Sequence, residues 1–217
     1  MIKPLTCIAA ALTTLAALTA TAAPAVAAGS CSIILPARVQ IASQYTVITA
    51  HPSSDCAASR NTDASWDVSP SRSGDFFSFG AGTLSSSYTF YSSWSTVGVL
   101  RAVATGATDS GGYLSQNSPT YTVKYATWAY VASSRSGRAV HINALISNSP
   151  SGMARGAGRP VSVQRYIHGA WQMILVRTTS STGQFTVGFV QPRAYSYRLV
   201  AAETKTAWGA LSATTVR

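Results

Sequence analysis

The chain is poor in acidic side chains: its 217 residues include six Asp and Glu against sixteen Lys and Arg, a formal net charge of +10 at pH 7. The shortage is greatest after residue 123, where Glu203 is the single acid. Glycosidase-type catalysis needs two carboxyl groups that converge on one cleft. Residues 124–217 therefore cannot supply such a pair among themselves, and Asp63 and Asp67 are expected at turns or on the surface.

Residue patterns for other catalytic and metal chemistry are also missing. His51, His141 and His168 are isolated from one another, and the sequence contains no G-x-S-x-G motif. Catalysis by a serine nucleophile needs a histidine and an acid beside it. No spacing of His, Cys and acidic residues matches a zinc site or a calcium loop. We predict no catalytic residue, no metal site, no cofactor and no enzymatic activity.

Long apolar runs are absent except near the N-terminus. There, Lys3 precedes the apolar stretch Leu5 to Ala20, and Ala25-Val26-Ala27 fits the small-x-small pattern before a cleavage point. This combination is typical of a signal peptide, and the stretch is too short to span a bilayer. We predict a signal peptide over 1–28 and a secreted, extracellular protein with no transmembrane segment after its removal. A retained membrane anchor is the alternative.

Cysteine is scarce as well. Cys7 lies in the predicted signal peptide, which leaves the pair Cys31 and Cys56. An even pair in an oxidising compartment favours one disulfide, which would stabilise the fold by about 3–4 kcal/mol. Two free thiols are the alternative.

Helical periodicity is absent, and strand signals fill the rest of the chain. Runs rich in Val, Ile, Thr, Tyr, Phe and Trp are broken every eight to twelve positions by Gly, Pro, Ser, Asn or Asp. Seven short strands in about 90 residues is typical of an immunoglobulin-like sandwich. We predict strands over 32–36, 38–50, 64–69, 75–79, 84–91, 97–105 and 119–124, then over 125–132, 138–146, 160–166, 170–178, 184–191, 194–202 and 207–216. An irregularity is expected at Ala42-Ser43, and a polar loop is expected from Asp109 through Pro119.

The fold class is thus predicted as all-β, with two tandem Ig-like or fibronectin-like β-sandwiches over 29–123 and 124–217. Charge supports this division. Residues 31–123 carry four basic and five acidic side chains, whereas residues 124–217 carry eleven basic side chains and one acid.

The basic half favours an anionic partner. The candidate anion-binding residues are Arg135, Arg138, Arg155, Arg159, Arg165, Arg177, Arg193 and Arg198. Dispersed, solvated arginines are the alternative.

Aromatic residues offer a second candidate site. Trp66 and Trp171 are expected in the two cores. Tyr88, Tyr91 and Trp94 form a possible binding strip, because the segment around them carries aromatic rings on both faces. Such a strip could stack on sugar rings or bind a protein, or it could pack at the interface between the sandwiches.

Several short motifs are spread over residues 121–217. They comprise Tyr121 to Ala126, Gly137 to Val140, Arg159 to Arg165, Gly169 to Trp171, Thr182 to Phe185, Tyr197-Arg198 and Trp208 to Ser212. Together they resemble the Ig-like domains of secreted actinobacterial proteins. The resemblance implies an Ig-like fold for this half and implies no catalytic residue.

From these observations we expect a secreted binding or structural protein that is not an enzyme and that associates electrostatically with anionic cell-wall polymers. A polysaccharide or another extracellular protein is a further candidate partner, and nucleic acid is disfavoured because no nucleic-acid-binding motif is present. One alternative is a carbohydrate- or protein-binding module that uses the aromatic strip. Another is a hydrolase with its site between the sandwiches, which would need His51 or His141 near an Asp and a Ser.

Overall fold

The computed structural model describes residues 29–54, 56, 62–70, 75–93, 95–148 and 156–217. The predicted signal peptide, Trp94 and Arg155 lie outside these residues. Every regular element in the described ranges is a β-strand. Within those ranges, no helix has the length and apolar character that crossing a bilayer requires.

The described residues of the first half of the chain form eleven strands. Short runs of β-branched and aromatic residues form them, and Gly, Ser and Asp separate them. Their bounds are β1 Ser30–Cys31, β2 Ile33–Ile34, β3 Arg38–Ile41, β4 Tyr45–Pro52, β5 Asp63–Ser69, β6 Phe76–Phe79, β7 Ser86–Tyr91, β8 Gly98–Asp109, β9 Gly112–Tyr113, β10 Ser115–Gln116 and β11 Thr120–Tyr125.

Two main sheets enclose the first core. One has the order β3-β11-β8-β5-β6, with β9 beside β8, and the other has the order β2-β4-β7. The short strands β1 and β10 pair in parallel. Alternation along β5 and β6 turns Trp66, Phe77 and Phe79 inward, where each is at most 3% exposed. These aromatic rings pack with Val39, Ile41 and other apolar residues in one hydrophobic cluster.

The predicted disulfide is confirmed: Cys31 and Cys56 are bonded to each other and both are buried. Cys31 ends β1, and Cys56 follows β4. The bond therefore ties the start of the first sandwich to the segment after β4, and both cysteines belong to the first hydrophobic cluster.

In the second half of the chain, eight strands lie within the ranges that the structure describes. They are β12 Thr127–Ser136, β13 Ala139–Asn148, β14 Pro160–Ile167, β15 Ala170–Thr178, β16 Gln184–Val190, β17 Ser196–Ala201, β18 Ala210–Leu211 and β19 Thr215–Val216. One sheet has the order β12-β13-β16, and the other has the order β15-β14-β17-β18, with β19 also beside β17. Val140, Ile142, Val163, Tyr197 and Leu199 fill the space between these sheets and are fully buried.

The fold is all-β and consists of two tandem Ig-like sandwiches, each with its own hydrophobic cluster. The sandwiches follow one another directly, because β11 ends at Tyr125, β12 begins at Thr127 and only Ala126 lies between them. The division of the chain after residue 123 stays a prediction, since β11 continues to Tyr125 without a break.

The expected irregularity at Ala42-Ser43 is confirmed by the gap between β3 and β4. Three other sequence predictions are wrong. The polar loop from Asp109 to Pro119 contains β9 and β10, and residues 207–216 form two short strands rather than one. Trp171 is not in the second core: it lies half-buried on β15, which is the edge strand of its sheet.

Candidate functional site

Three connections of the second sandwich meet at one end of it, because its long strands are antiparallel. The register pairs Thr127 with Asn148 and Ser136 with Ala139, so the β12–β13 turn lies at the opposite end from Thr127. Arg135 lies eight positions after Thr127, which is about 26 Å along the strand at about 3.3 Å per residue. This end is therefore remote from the join with the first sandwich.

Four of the predicted anion-binding arginines lie at this remote end, where Arg217, which donates to the Ser133 carbonyl at 2.9 Å, is a fifth arginine. Arg135 and Arg138 flank the β12–β13 turn, Arg165 lies late in β14, and Arg193 lies in the connection between β16 and β17. We call the set Arg135, Arg138, Arg165 and Arg193 the arginine end. Arg138 and Arg193 are exposed, whereas Arg135 and Arg165 are partly buried.

Gln191 holds the arginine end together. Its backbone amide donates to the Arg138 carbonyl at 2.7 Å, and its side-chain Oε1 accepts from Arg165 at 2.7 Å. Arg135 donates to the backbone carbonyls of Gln191, Arg193 and Gly137, each at 2.8 Å. These carbonyls fix the Arg135 guanidinium without neutralising it, so its positive charge remains.

Arg165 also stacks on the ring of Tyr195, with its guanidinium carbon 4.7 Å from the ring centre. Its Nε is buried and has no hydrogen-bond partner, and neither does the buried hydroxyl of Tyr197. Burial raises the pKa of Tyr197, and the positive charges of Arg165 and Arg135 act in the opposite direction. Both arginines are thus close enough to the Tyr197 hydroxyl to affect its ionisation.

The one acidic side chain of this sandwich is at the other end. Glu203 accepts a hydrogen bond from Lys124 at 2.7 Å, beside the join. In the described part of residues 124–217, no acidic side chain therefore lies within the arginine end to pair with it.

The other predicted anion-binding arginines do not join this set. Arg198 stacks on Trp171 at 4.3 Å and donates to Gln164 at 2.8 Å, on the sheet surface. Arg177 is exposed on β15 and pairs with Val161, the second residue of β14. It therefore lies towards the join. Arg155 is outside the described residues.

Arg159 is a clear correction, because it is 3% exposed. One guanidinium nitrogen donates to Thr127 Oγ1 at 2.6 Å and to Asn148 Oδ1 at 2.8 Å. The other donates to the carbonyls of Ala202 and Trp208. Burial lowers the pKa of this guanidinium. Arg159 cross-links the join end of the sandwich and is not available to a ligand in solution, so its prediction as an anion-binding residue is wrong.

The predicted aromatic strip does not form one surface. Tyr88 and Tyr91 are three residues apart on β7, so their side chains lie on opposite faces. Tyr88 packs inward against Phe77 and Phe90, with ring centres 5.8 and 4.7 Å away. Burial raises the pKa of Tyr88, as does its hydrogen bond with Asp75. Tyr91 instead contacts Tyr45 at 5.3 Å on the outer face.

The histidines are exposed, and none of the described ion pairs or hydrogen bonds joins one of them to an acidic side chain. His51 Nδ1 lies 3.2 Å from the carbonyl oxygen of Leu84. His141 is opposite Ser134 on β12, but the only described acid of its sandwich, Glu203, is bonded to Lys124 at the join. Within the residues that the structure describes, no group of three or more His, Cys, Asp and Glu side chains is placed to hold a metal ion.

Trp208 connects the two sandwiches, a role that the sequence analysis did not identify. Its indole nitrogen donates to the Val39 carbonyl at 3.0 Å, and its backbone amide donates to the Tyr125 carbonyl at 3.0 Å. The Arg38 guanidinium lies 3.9 Å from the ring centre and the Lys124 ammonium 5.0 Å from it. The burial of Trp208 depends on the first sandwich, so no local sequence signal reveals it.

Comparisons with known proteins add little to this picture. No family model matches the chain, and no curated protein matches its sequence. Among solved structures, the adhesin InvE of Yersinia pseudotuberculosis is 11% identical with a TM-score of 0.33, and the match covers 87% of this chain and 58% of that chain. The D0-D1 domain of Intimin is 10% identical with a TM-score of 0.31, and the match covers 86% of this chain and 96% of that one.

A cytokine receptor complex is 13% identical with a TM-score of 0.37, covering 84% of this chain and 99% of that chain. The chain thus spans less than two thirds of the InvE chain, and these likenesses are too low to carry an argument about function. The assignment of two Ig-like sandwiches rests on the strands, sheets and cores described above.

Proposed function

We propose that this protein is an extracellular, non-enzymatic binding protein whose arginine end associates with anionic polymers, such as those of a cell wall. The observation that carries the proposal is the gathering of four arginines around Gln191, in a sandwich whose single described acid is paired at the other end. An end with this uncompensated charge attracts anions by Coulomb forces.

A polymer fits this end better than a single small anion. Exposed ion pairs contribute about 0.2–1 kcal/mol each, so one contact is too weak to retain a ligand. The four arginines are carried on turns and strand ends of one sandwich, and several contacts to the same chain of anions reinforce one another. Repeated phosphate or carboxylate groups therefore match the arginine end.

The test is retention of the purified protein on an immobilised anionic wall polymer across a salt series. We expect retention at low salt and release as salt rises, because screening weakens contacts between exposed charges. The double variant Arg138→Gln/Arg193→Gln should lose most of the retention. Both side chains are exposed, so their replacement should leave the fold intact.

The matched control is Arg177→Gln/Lys205→Gln, which removes the same charge from exposed positions nearer the join. It should keep most of the retention. Equal losses in both variants would show that net charge alone is responsible and would contradict a role for the arginine end. Absence of retention at low salt would reject the electrostatic proposal as a whole.

A further inference from the structure

The outer face of the sheet β12-β13-β16 has a composition unlike the rest of the second sandwich. Alternation turns Ala129, Val140, Ile142, Ile146 and Val187 into the core. The intervening residues therefore point away from the core. They are Trp128, Tyr130, Ala132 and Ser134 on β12, His141, Asn143 and Leu145 on β13, and Gln184, Thr186 and Gly188 on β16.

The register arranges these side chains in rows across the three strands. Tyr130 lies opposite Leu145, which lies opposite Gln184. The next row has Ala132 opposite Asn143 and Asn143 opposite Thr186. A shallow depression of about 380 Å³ lies over the two rows. An aromatic ring and an aliphatic side chain thus adjoin amide and hydroxyl groups on a single surface.

The polar groups of the face are held in place. Thr186 Oγ1 donates to Asn143 Oδ1 at 2.8 Å, which fixes the orientation of the amide. The ring of Tyr130 is 54% exposed, so it is accessible to a ligand. At Gly188 an added Cβ would lie 3.2 Å from His141 Nδ1, so a side chain there would crowd the histidine ring. Small residues such as Ala132 leave the neighbouring surface without protruding side chains.

Charge decides which class of ligand fits. No Lys, Arg, Asp or Glu occupies the outward positions of these three strands, although residues 124–217 carry eleven basic side chains. An anionic polymer finds no ion pair here, whereas the arginine end offers four cations. The charge-free face is therefore matched to an uncharged ligand.

We propose that this face, centred on Tyr130, Asn143, Gln184 and Thr186, binds a neutral oligosaccharide. A sugar ring presents C–H groups on its faces and hydroxyls at its rim. The Tyr130 ring can cover the C–H groups, while the amides of Asn143 and Gln184 and the Thr186 hydroxyl bond the rim. The proposal is independent of the arginine end, since it needs no charge on the ligand.

The experiment is affinity electrophoresis of the intact protein in gels that contain soluble neutral polysaccharides, namely a mixed-linkage β-glucan, an α-glucan and a galactomannan. At least one polymer should slow migration, and the effect should persist at high salt. Tyr130→Ala should lower the association constant about two- to thirteenfold, because aromatic stacking contributes about 0.5–1.5 kcal/mol. Asn143→Ala should weaken it to a similar extent, which guards against a folding defect in Tyr130→Ala.

The matched control is Tyr113→Ala, which removes an 87% exposed tyrosine from the first sandwich and should leave binding unchanged. Thermal melts should show that all variants remain folded. Migration unaffected by every neutral polymer, or equal binding by Tyr130→Ala and wild type, would overturn the proposal. So would retardation that disappears at high salt, or a self-association that Tyr130→Ala abolishes, since the first indicates ionic binding and the second a protein interface.

Discussion

Arg159 donates to four acceptors from separate parts of the second sandwich: Thr127 at the start of β12, Asn148 at the end of β13, and the carbonyls of Ala202 and Trp208. Its removal would leave buried oxygen atoms without a donor. The free-energy cost of an unpaired buried acceptor is larger than the net stabilisation that one hydrogen bond contributes. A buried arginine in this position stabilises the fold and does not contact a ligand.

Arg159→Met should therefore lower the free energy of unfolding by about 3 kcal/mol or more. Arg159→Lys should rescue little, because a compact ammonium cannot reach acceptors arranged around a planar guanidinium. Chemical denaturation measures both. The exposed Arg177→Met should change stability by only about 0.5 kcal/mol, and a comparable effect of the two Met variants would contradict the role assigned to Arg159.

Tyr197 gives a pH prediction at the same scale. Burial raises its pKa above the ordinary value, which is about 10 in the unfolded chain. The folded state therefore favours the neutral phenol. The contribution of the neutral Tyr197 phenol to stability is fully present below pH about 10. It is lost as the pH rises further, because the tyrosine of the unfolded chain ionises at lower pH than that of the folded chain.

Since the Tyr197 hydroxyl has no partner, Tyr197→Phe should not destabilise the protein at neutral pH and should reduce the loss of stability in alkali. Urea denaturation at about pH 8 and above about pH 10 provides the comparison, because these conditions lie on either side of the ordinary tyrosine pKa. A large loss of stability at neutral pH would show that the hydroxyl does form a stabilising bond.

Individual elements differ in how far sequence could predict them. Strands such as β13 and β16 follow from alternation, since Val140, Ile142 and Val187 face the core at every second position. The disulfide followed from cysteine number and compartment. Trp171 was misplaced because its strand, β15, lies at a sheet edge, and edge position is set by the order of strands rather than by residues within one strand.

The arginine end was only partly predictable for the same reason. Arg135, Arg138, Arg165 and Arg193 were selected by residue type, but their proximity depends on which turns lie at one end of the sandwich. Arg159 has the same residue type and is buried, because Thr127, Asn148 and Trp208 surround it. Contacts between distant segments decide both outcomes, and single-sequence patterns do not contain them.

The disulfide element can be tested directly. Replacing both cysteines, in Cys31→Ser/Cys56→Ser, should lower the stability of the first sandwich by about 3–4 kcal/mol through the larger entropy of its unfolded chain. The second hydrophobic cluster does not contain either residue and should be little affected. Hydrogen exchange at the backbone amides of Trp66 in β5 and of Val163 in β14 reports on the two sandwiches separately, and equal losses of protection in both would contradict this separation.

On the scale of the whole molecule, the two sandwiches differ in their charged groups and in their exposed surfaces. The first carries the disulfide and four of the described acids, whereas the second carries the arginine end and the uncharged outer face of β12-β13-β16. The two proposed binding surfaces therefore lie on one sandwich, and we expect binding at them to differ in salt dependence. A cell-wall preparation containing both neutral and anionic polymers would engage both surfaces, and only the anionic part of that binding should be released by salt.

A single residue, Ala126, separates β11 from β12, and Trp208 bonds across the same point to Val39. The connection therefore contains no slack. If a polymer pulls on the arginine end while the first sandwich is held, the tension passes along β12 into β11 without first extending a linker. β11 lies inside a sheet between β3 and β8, so the load reaches two rows of backbone hydrogen bonds at once. We therefore expect the tandem to transmit tension without first lengthening at the join.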